Sequence, residues 1–146
     1  MILLDSDHLT ILMYPESDQY GALTARMDES LDEDFATTVV NLEEQTRGWL
    51  SYISREREVR EQIVGYVAWP ICLTSFTLAV VRLDERAADE FDRLRRQGIR
   101  IGTMDLKIAS IALVQNATLW TANLRDFQKV PDSESRTGSS SSTMYA

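Results

Sequence analysis

The feature that most constrains the fold is an alternation between short apolar runs and longer stretches with helical spacing. The apolar runs at residues 2–4, 35–40, 78–83 and 117–121 are typical of buried strands. Between them, apolar residues recur at the spacing of helices that pack on one face. Strands that alternate with helices pair in parallel, so the sequence predicts an α/β fold with a central, mainly parallel sheet flanked by helices.

Polar residues predict where several helices begin and end. Asp7 is expected to cap the helix after the first strand, and Asn41 the helix after the second. Asp84 is expected to cap a helix that Gly98 ends. Pro70 must break or kink any helix through residues 59–75, so the boundaries of that stretch stay open.

Size and composition restrict the class of protein. A chain of 146 residues is the usual size of one domain. No apolar run approaches the roughly 20 residues of a membrane-spanning helix, so we expect no membrane segment. Cys72 is the single cysteine and has no partner for a disulfide, which favours a reducing cytoplasm.

The net charge of −8 argues at first against a nucleic-acid partner, because phosphate binding usually depends on a basic surface. The distribution of charge weakens that objection, since arginines gather at residues 55–60 and again at 93–100. A carboxylate-rich metal site also adds negative charge until its cation is bound. Nucleic acid is therefore not excluded.

Carboxylates fall repeatedly where a strand ends or a helix begins. Asp5 ends the first strand, Glu44 and Asp105 each lie in a first helical turn, and Asn123 and Asp126 follow the last strand. These ends converge on one crevice in open parallel sheets. Clustered carboxylates repel one another unless a cation neutralises them, so an oxygen-only set predicts Mg²⁺, with Mn²⁺ as a substitute.

Each acid also has a structural alternative. Glu44 and Asp105 could simply stabilise their helices by capping or through the helix dipole. Asp5 differs, because it follows an apolar strand directly and a buried charge there needs a partner or a metal.

Four segments resemble the successive motifs of PIN-domain ribonucleases, especially the VapC toxins of toxin–antitoxin pairs. They are LLDSDHL at 3–9, VNLEEQTRG at 40–48, RIGTMDLKIA at 100–109 and TANLRDF at 121–127. Their order and spacing agree with the family over nearly the whole chain. The resemblance implies a three-layer α/β fold, Mg²⁺-dependent cleavage of RNA, homodimerisation and neutralisation by a cognate antitoxin. It covers a nuclease domain at 1–131, and we expect the polar, serine-rich tail at 132–146 to be disordered.

The resemblance assigns the metal ligands residue by residue. Asp5 matches the family's first acid and Asp105 the third. Gly48 selects Glu44 over Glu43 as the second, because the family's glutamate stands four residues before a glycine. Asn123 stands at the fourth position, where many members carry Asp, which leaves that ligand open.

Other matched positions are expected to support the site. Asp126 lies in the same loop as Asn123 and is expected to assist through water or to substitute for it. Ser6 stands where members have Thr, and Asp7 where they commonly have Asn. Thr121 is a candidate hydrogen-bond partner for the site or the phosphate.

Two rival functions use the same residues. The pair Asp5 and Asp7 after an apolar strand is typical of a haloacid-dehalogenase-like phosphatase, but that family has Thr or Val where this chain has Leu9. A catalytically weak or inactive PIN-fold protein that only binds partners is the other alternative, for which Asn123 and the unusual tail are the hints.

Overall fold

The computed structural model describes residues 1–32, 34–74 and 77–136. Its strands are β1 (Ile2–Leu4), β2 (Phe35–Thr38), β3 (Ala79–Val81), β4 (Thr118–Trp120) and β5 (Glu134–Arg136). Its helices are α1 (Ser6–Leu12), α2 (Asp18–Glu29), α3 (Val39–Arg55), α4 (Val59–Thr74), α5 (Glu85–Arg96), α6 (Thr103–Val114) and α7 (Leu124–Phe127).

Within the described ranges, the strands form one parallel sheet in the order β3-β2-β1-β4-β5. In the central register Leu3 lies between Ala36 of β2 and Leu119 of β4. All three residues of β1 are buried, as expected for a parallel strand covered on both faces. The predicted α/β fold with a parallel sheet is confirmed.

Side chains of the central strands alternate between two apolar cores. Leu3 and Leu119 pack on one side of the sheet with residues of α5 and α6. Ile2, Leu4 and Trp120 pack on the other side with Leu9 of α1 and Leu23 of α2. Because a strand has a period of two, both faces of the sheet are covered and the fold has three layers.

The helices α3 and α4 pack closely against each other, and a glycine permits this contact. A Cβ at Gly65 would lie 2.5 Å from Cγ1 of Ile53. The helix α4 also continues through Pro70, which is exposed, so of the break or kink expected there the structure excludes a break. Among the described residues, no helix has both the length and the apolar character needed to cross a membrane.

Two helix starts differ from the sequence prediction. The side chain of Asp5 accepts a hydrogen bond from the backbone N–H of Ser6, so Asp5 and not Asp7 caps α1. Thr38 caps α3 and forms a reciprocal capping box with Asn41. Consequently β2 ends at Thr38, and Asn41 lies in the first turn instead of before the helix.

Two other predicted starts or ends are confirmed. Asp84 caps α5 by accepting a hydrogen bond from the backbone N–H of Ala87. Gly98 follows the helix with φ +78°, a conformation that favours glycine.

The end of the chain is more ordered than its composition predicts. Residues 134–136 pair in parallel with β4, so the prediction of disorder for the tail at 132–146 is wrong there. A backbone ladder does not require apolar side chains, which is why composition missed this edge strand. The rest of that predicted tail, residues 137–146, lies outside the described residues.

Candidate active site

The sheet order creates a crevice between β1 and β4. The chain passes from β1 to β2 on one side, whereas β4 is followed by β5 on the other. Such a switch point opens a crevice beyond the carboxyl ends of the two strands, which is where α/β proteins bind ligands. Asp5 directly follows β1, and Thr121 directly follows β4. Residues that the sequence singled out on separate segments therefore lie together at the carboxyl end of the sheet.

Asp5 is only 6% exposed, and neutral donors hold its carboxylate in place. Oδ1 accepts hydrogen bonds from the Ser6 N–H at 2.8 Å and from Nδ2 of Asn41 at 2.7 Å, and Oδ2 accepts one from Oγ1 of Thr121 at 2.6 Å. Burial raises the pKa of Asp5, and the charge of Asp7 adds to this, although the hydrogen bonds oppose it. A carboxylate offers about four lone pairs, so Oδ2 retains acceptor capacity for a ligand.

Glu44 lies in the second turn of α3 and faces the same crevice. Its Oε2 accepts a hydrogen bond from the Ser6 hydroxyl. Burial raises the pKa of Glu44, and the charges of Asp5 and Asp105 raise it further, against the Ser6 hydrogen bond. The neighbouring Glu43 instead forms an ion pair with Arg47 at 2.7 Å on the helix surface.

Asp105 lies in the first turn of α6 and is the third acid of the candidate site. Its Oδ2 accepts a hydrogen bond from Nδ2 of Asn123 at 3.3 Å. Burial raises the pKa of Asp105, and the charges of Asp5 and Asp126 raise it further. The charge of Asp5 thus disfavours ionisation of both Glu44 and Asp105, and the charge of Asp105 acts on Glu44 as well.

Asn123 lies between two carboxylates. Its Nδ2 donates to Asp105 and also to Oδ2 of Asp126 at 3.1 Å. The other oxygen of Asp126 accepts from Nζ of Lys129, also at 3.1 Å. These two donors lower the pKa of Asp126, so Asp126 differs from the three acids whose pKa values are raised.

The residues predicted as supports link the two sides of the crevice. Ser6 accepts a hydrogen bond from Asn41 at 3.1 Å while donating to Glu44. Thr121 donates to Asp5 and accepts from the Asn123 N–H at 3.0 Å. Asp7 accepts from the Ala122 N–H at 2.6 Å, and its other oxygen accepts from Nδ1 of the buried His8 at 2.7 Å.

Burial alone would raise the pKa of Asp7. Hydrogen bonds from His8 and from the Ala122 N–H, together with the charge of His8, have the larger effect, so the pKa is lowered. Asp7 is therefore a charged acceptor that ties α1 to the loop after β4. This loop carries Asn123, so the contact helps to position the fourth predicted ligand.

Sequence reasoning missed Asn41 as a member of this site. Its side chain is fully buried, and it bonds to both Asp5 and Ser6 while its Oδ1 accepts from the Thr38 hydroxyl at 2.6 Å. The available signal was the spacing of Thr38 and Asn41, which matches a capping box at the start of α3. That signal marks the helix start, but it does not indicate the contact with Asp5.

The donor set fits a hard divalent cation. Carboxylate and amide oxygens are the preferred ligands of Mg²⁺. No described lysine or arginine forms an ion pair with Asp5, Glu44 or Asp105. The described His, Cys, Asp and Glu side chains do not form a ready-made cage for a metal ion, so binding would require them to draw together.

Comparison with known proteins connects this geometry to one group of structures. The VapBC2 complex of Rickettsia felis, bound to a DNA fragment from its promoter, matches with TM-score 0.68 and 22% identity over 94% of this chain and 98% of the other. VapBC-1 of nontypeable Haemophilus influenzae matches with TM-score 0.68 and 23% identity over 96% and 100%.

The chain has a PIN-like fold of the VapC type. In sequence, it is 46% identical over 39 residues to ribonuclease VapC2 of Rickettsia felis. That match spans 27% of this chain and 29% of the relative. No family model matches the sequence. The resemblance to VapC is confirmed, and the VapC-like fold places the predicted acids together at the switch point.

Proposed function

We propose that this chain is a Mg²⁺-dependent endoribonuclease and the toxin of a toxin–antitoxin pair, acting in the cytoplasm. The observation that carries the proposal is that Asp5, Glu44 and Asp105 lie together at the switch point of a VapC-like sheet. No lysine or arginine in the described ranges forms an ion pair with these three acids. The short sequence match to a protein named as a ribonuclease supports RNA as the substrate.

Asp5, Glu44, Asp105 and Asn123 would hold the metal, Mg²⁺ or Mn²⁺. When bound, the ion supplies charge stabilisation at the scissile phosphate and activates water for attack. The protein's own contribution is orientation, since Asn41 and Thr121 fix both oxygens of Asp5.

Glu44 is the candidate proton acceptor. Ser6 holds its Oε2, which leaves Oε1 to take the proton of the attacking water.

The test is cleavage of total cellular RNA by the purified chain, with Mg²⁺ or with EDTA, followed by mapping of the cut ends. We expect defined cuts with Mg²⁺, none with EDTA, and at least 100-fold slower cutting by Asp105→Asn, since that variant loses one charged ligand. Release of phosphate from a small phosphomonoester without RNA cleavage would instead favour the phosphatase alternative. Absence of both activities would favour the inactive partner-binding alternative.

An apolar face on α4 supports a protein partner. Val59, Ile63 and Val67 recur every four residues on this helix and are 53–74% exposed. Exposed apolar residues in a contiguous patch are typical of a protein–protein surface. Several neighbours in the structural comparison are named VapBC, which supports an antitoxin as one partner, and we propose a second copy of the chain as the other.

A charge introduced on this face by substitution can show which of the two partners binds there. We expect Val67→Lys to reduce the mass measured by light scattering from dimer to monomer if the face joins two copies. If the face binds the antitoxin, Val67→Lys should leave the mass of the isolated chain unchanged but abolish co-purification with the antitoxin. A variant that changes neither result would contradict a role of α4 in assembly.

A further inference from the structure

We infer that a cavity along α3, beside the carboxylates, binds one base of single-stranded RNA together with a neighbouring phosphate. This inference rests on the proposed ribonuclease function and names where the strand next to the scissile phosphate would lie. The cavity has a volume of about 360 Å³. Ser6 and Glu44 line it, so it opens directly into the candidate active site.

The cavity follows one face of α3. Glu44, Gly48, Tyr52 and Arg55 line it at spacings of four, four and three residues, which places them on a single stripe of the helix. From Glu44 to Arg55 the helix rises by about 16 Å. The stripe therefore has Glu44 at one end, Gly48 and Tyr52 in the middle, and the positive charge of Arg55 at the other end.

Gly48 keeps this cavity open, and neither packing nor backbone conformation requires a glycine there. A Cβ at Gly48 would meet no atom within 4 Å, whereas one at Gly65 would collide with Ile53. Gly48 is not among the glycines with positive φ. A glycine inside a helix destabilises it relative to alanine, and unlike Gly21, which is also unhindered, Gly48 lines the cavity, where its missing side chain leaves space free.

Two aromatic rings form the wall of the cavity. Trp49 and Tyr52 are half-buried, with ring centroids 6.1 Å apart and planes inclined at 74°. In this edge-to-face arrangement the two rings are not stacked face to face on each other. Bases stack on aromatic faces of this kind in proteins that bind single strands, with little dependence on sequence.

Arg55 supplies the positive charge at the far end. Its side chain is exposed and forms no ion pair with any residue in the described part of the chain. In a protein of net charge −8, a free guanidinium in line with the active site is placed to bind a phosphate. The cavity has an aromatic wall, a positive charge at its far end and a direct opening to the acidic residues. These three features together favour a nucleotide as the ligand over an apolar protein segment.

The first experiment fills the cavity. Gly48→Leu should keep the fold and melting temperature of the wild type, because the added side chain enters open space, but raise KM for Mg²⁺-dependent RNA cleavage at least tenfold with a smaller change in kcat. Gly21→Leu is the matched control, since Gly21 is also an exposed glycine within a helix and its Cβ would meet nothing within 4 Å. We expect its KM to equal that of the wild type.

The second experiment separates base stacking from phosphate binding. Binding of fluorescent 12-nucleotide oligoadenylate and of an abasic 12-mer with the same phosphates is measured by anisotropy, on Asp105→Asn protein in EDTA to prevent cleavage. Adding Trp49→Leu should weaken oligoadenylate binding about tenfold or more and leave abasic binding unchanged, while Trp49→Phe should retain most affinity. Adding Arg55→Gln should weaken binding of both oligomers and reduce its salt dependence.

The outcomes distinguish this inference from the proposed function. If the wild type cuts RNA and Gly48→Leu cuts it with an unchanged KM, the subsite is wrong and the ribonuclease stands. If Gly48→Leu keeps that KM but loses its complex with the antitoxin, the cavity belongs to a protein segment and the inference is overturned. Failure of the wild type to cut any RNA would reject the proposed function itself.

Discussion

At the residue scale, Asp5 illustrates how neutral donors hold a buried carboxyl group in place. Three donors, two of them side chains from distant parts of the chain, satisfy its oxygens. This arrangement makes Asp5 part of the fold as well as of the candidate site. Asp105, with a single amide donor among the described groups, depends on the fold much less.

Replacement of Asp5 should therefore cost stability. In Asp5→Ala the Thr121 hydroxyl loses its acceptor and the Asn41 amide loses one of its two acceptors, Ser6 being the other. We expect each hydrogen bond left unmade to lower the free energy of unfolding by about 1–3 kcal/mol. Urea unfolding in EDTA measures this, with Asp105→Asn as the control that should hold or gain stability. Equal stability of Asp5→Ala and wild type would contradict the hydrogen-bond account.

The glutamate pair gives a direct test of the site's register. Glu44→Gln should lower Mg²⁺-dependent RNA cleavage by about 100-fold or more, because it removes the charged acceptor beside Ser6. Glu43→Gln only breaks an exposed ion pair with Arg47 and should change the rate less than twofold. The reverse ranking of the two initial rates would place Glu43 in the site.

Asn123 is the one predicted ligand that carries no charge. Its amide donates to Asp105 and Asp126, so Asn123→Asp would replace a bridging donor by a third carboxylate. We expect this variant to melt at a lower temperature than the wild type in EDTA, and to gain more from added Mn²⁺ or Mg²⁺. Calorimetric melting across a metal titration measures both effects. An unchanged melting temperature in EDTA together with unchanged metal affinity would exclude Asn123 from the site.

Asp126 is tested by the same titration. Its charge already pairs with Lys129, and its pKa is lowered by Asn123 and Lys129. If Asp126 assists the metal through water, Asp126→Asn reduces cleavage and added Mn²⁺ partly restores it. If it only anchors its loop, that substitution leaves metal affinity unchanged.

At the element scale, α3 contributes residues to both the candidate active site and the cavity beside it. It begins with the capping box of Thr38 and Asn41, presents Glu44 in its second turn and extends the cavity to Arg55. Tyr52 and Ile53 of the same helix pack against Gly65 of α4. The position of α3 therefore affects both the carboxylate cluster and the proposed base subsite.

Close packing of α3 against α4 makes Gly65 sensitive to substitution. Gly65→Ala would put a methyl group 2.5 Å from Ile53, and we expect the resulting strain to lower the free energy of unfolding by about 1–3 kcal/mol. Gly21→Ala, in open space, should instead stabilise the chain by about 0.5–1 kcal/mol through helix propensity. Chemical denaturation of both variants checks the opposite signs, and a stabilised Gly65→Ala would show that the two helices separate easily.

At the scale of the whole molecule, the acid cluster couples stability to pH. Burial and the charges of Asp5 and Asp126 raise the pKa of Asp105 above its ordinary value of 3.8. The folded state therefore holds this proton more tightly than the unfolded state, and stability falls as pH rises from 3.8 through the folded pKa.

Removal of this charge should abolish that part of the pH dependence. In EDTA, the stability of Asp105→Asn relative to the wild type should increase as the pH rises above about 4 and stay constant once the pH exceeds the folded pKa of Asp105. Denaturant titrations at several pH values measure the difference. Mg²⁺ at pH 7 should stabilise the wild type more than the variant. A difference that shrinks with rising pH would have the wrong sign for a repulsive cluster.

The sequence by itself determined the local features of the protein. Strand and helix alternation, the Asp84 cap and the acids at strand ends were predictable, because periodicity and capping depend on residues close together in the chain. The resemblance of four motifs to VapC toxins predicted the three-layer fold. It also singled out Glu44 over Glu43, in keeping with the different partners that the two side chains have in the structure.

Only the tertiary structure decided how these pieces meet. The strand order β3-β2-β1-β4-β5 arises from backbone pairing between distant segments, which has no signature in the sequence of any one strand. The bond from Asn41 to Asp5 joins residues 36 positions apart, and the polar residues 134–136 complete the sheet through backbone pairing alone. Long-range hydrogen bonds of this kind depend on packing, so the sequence singled out the acids that gather at the switch point but not the side chain that holds Asp5 in place.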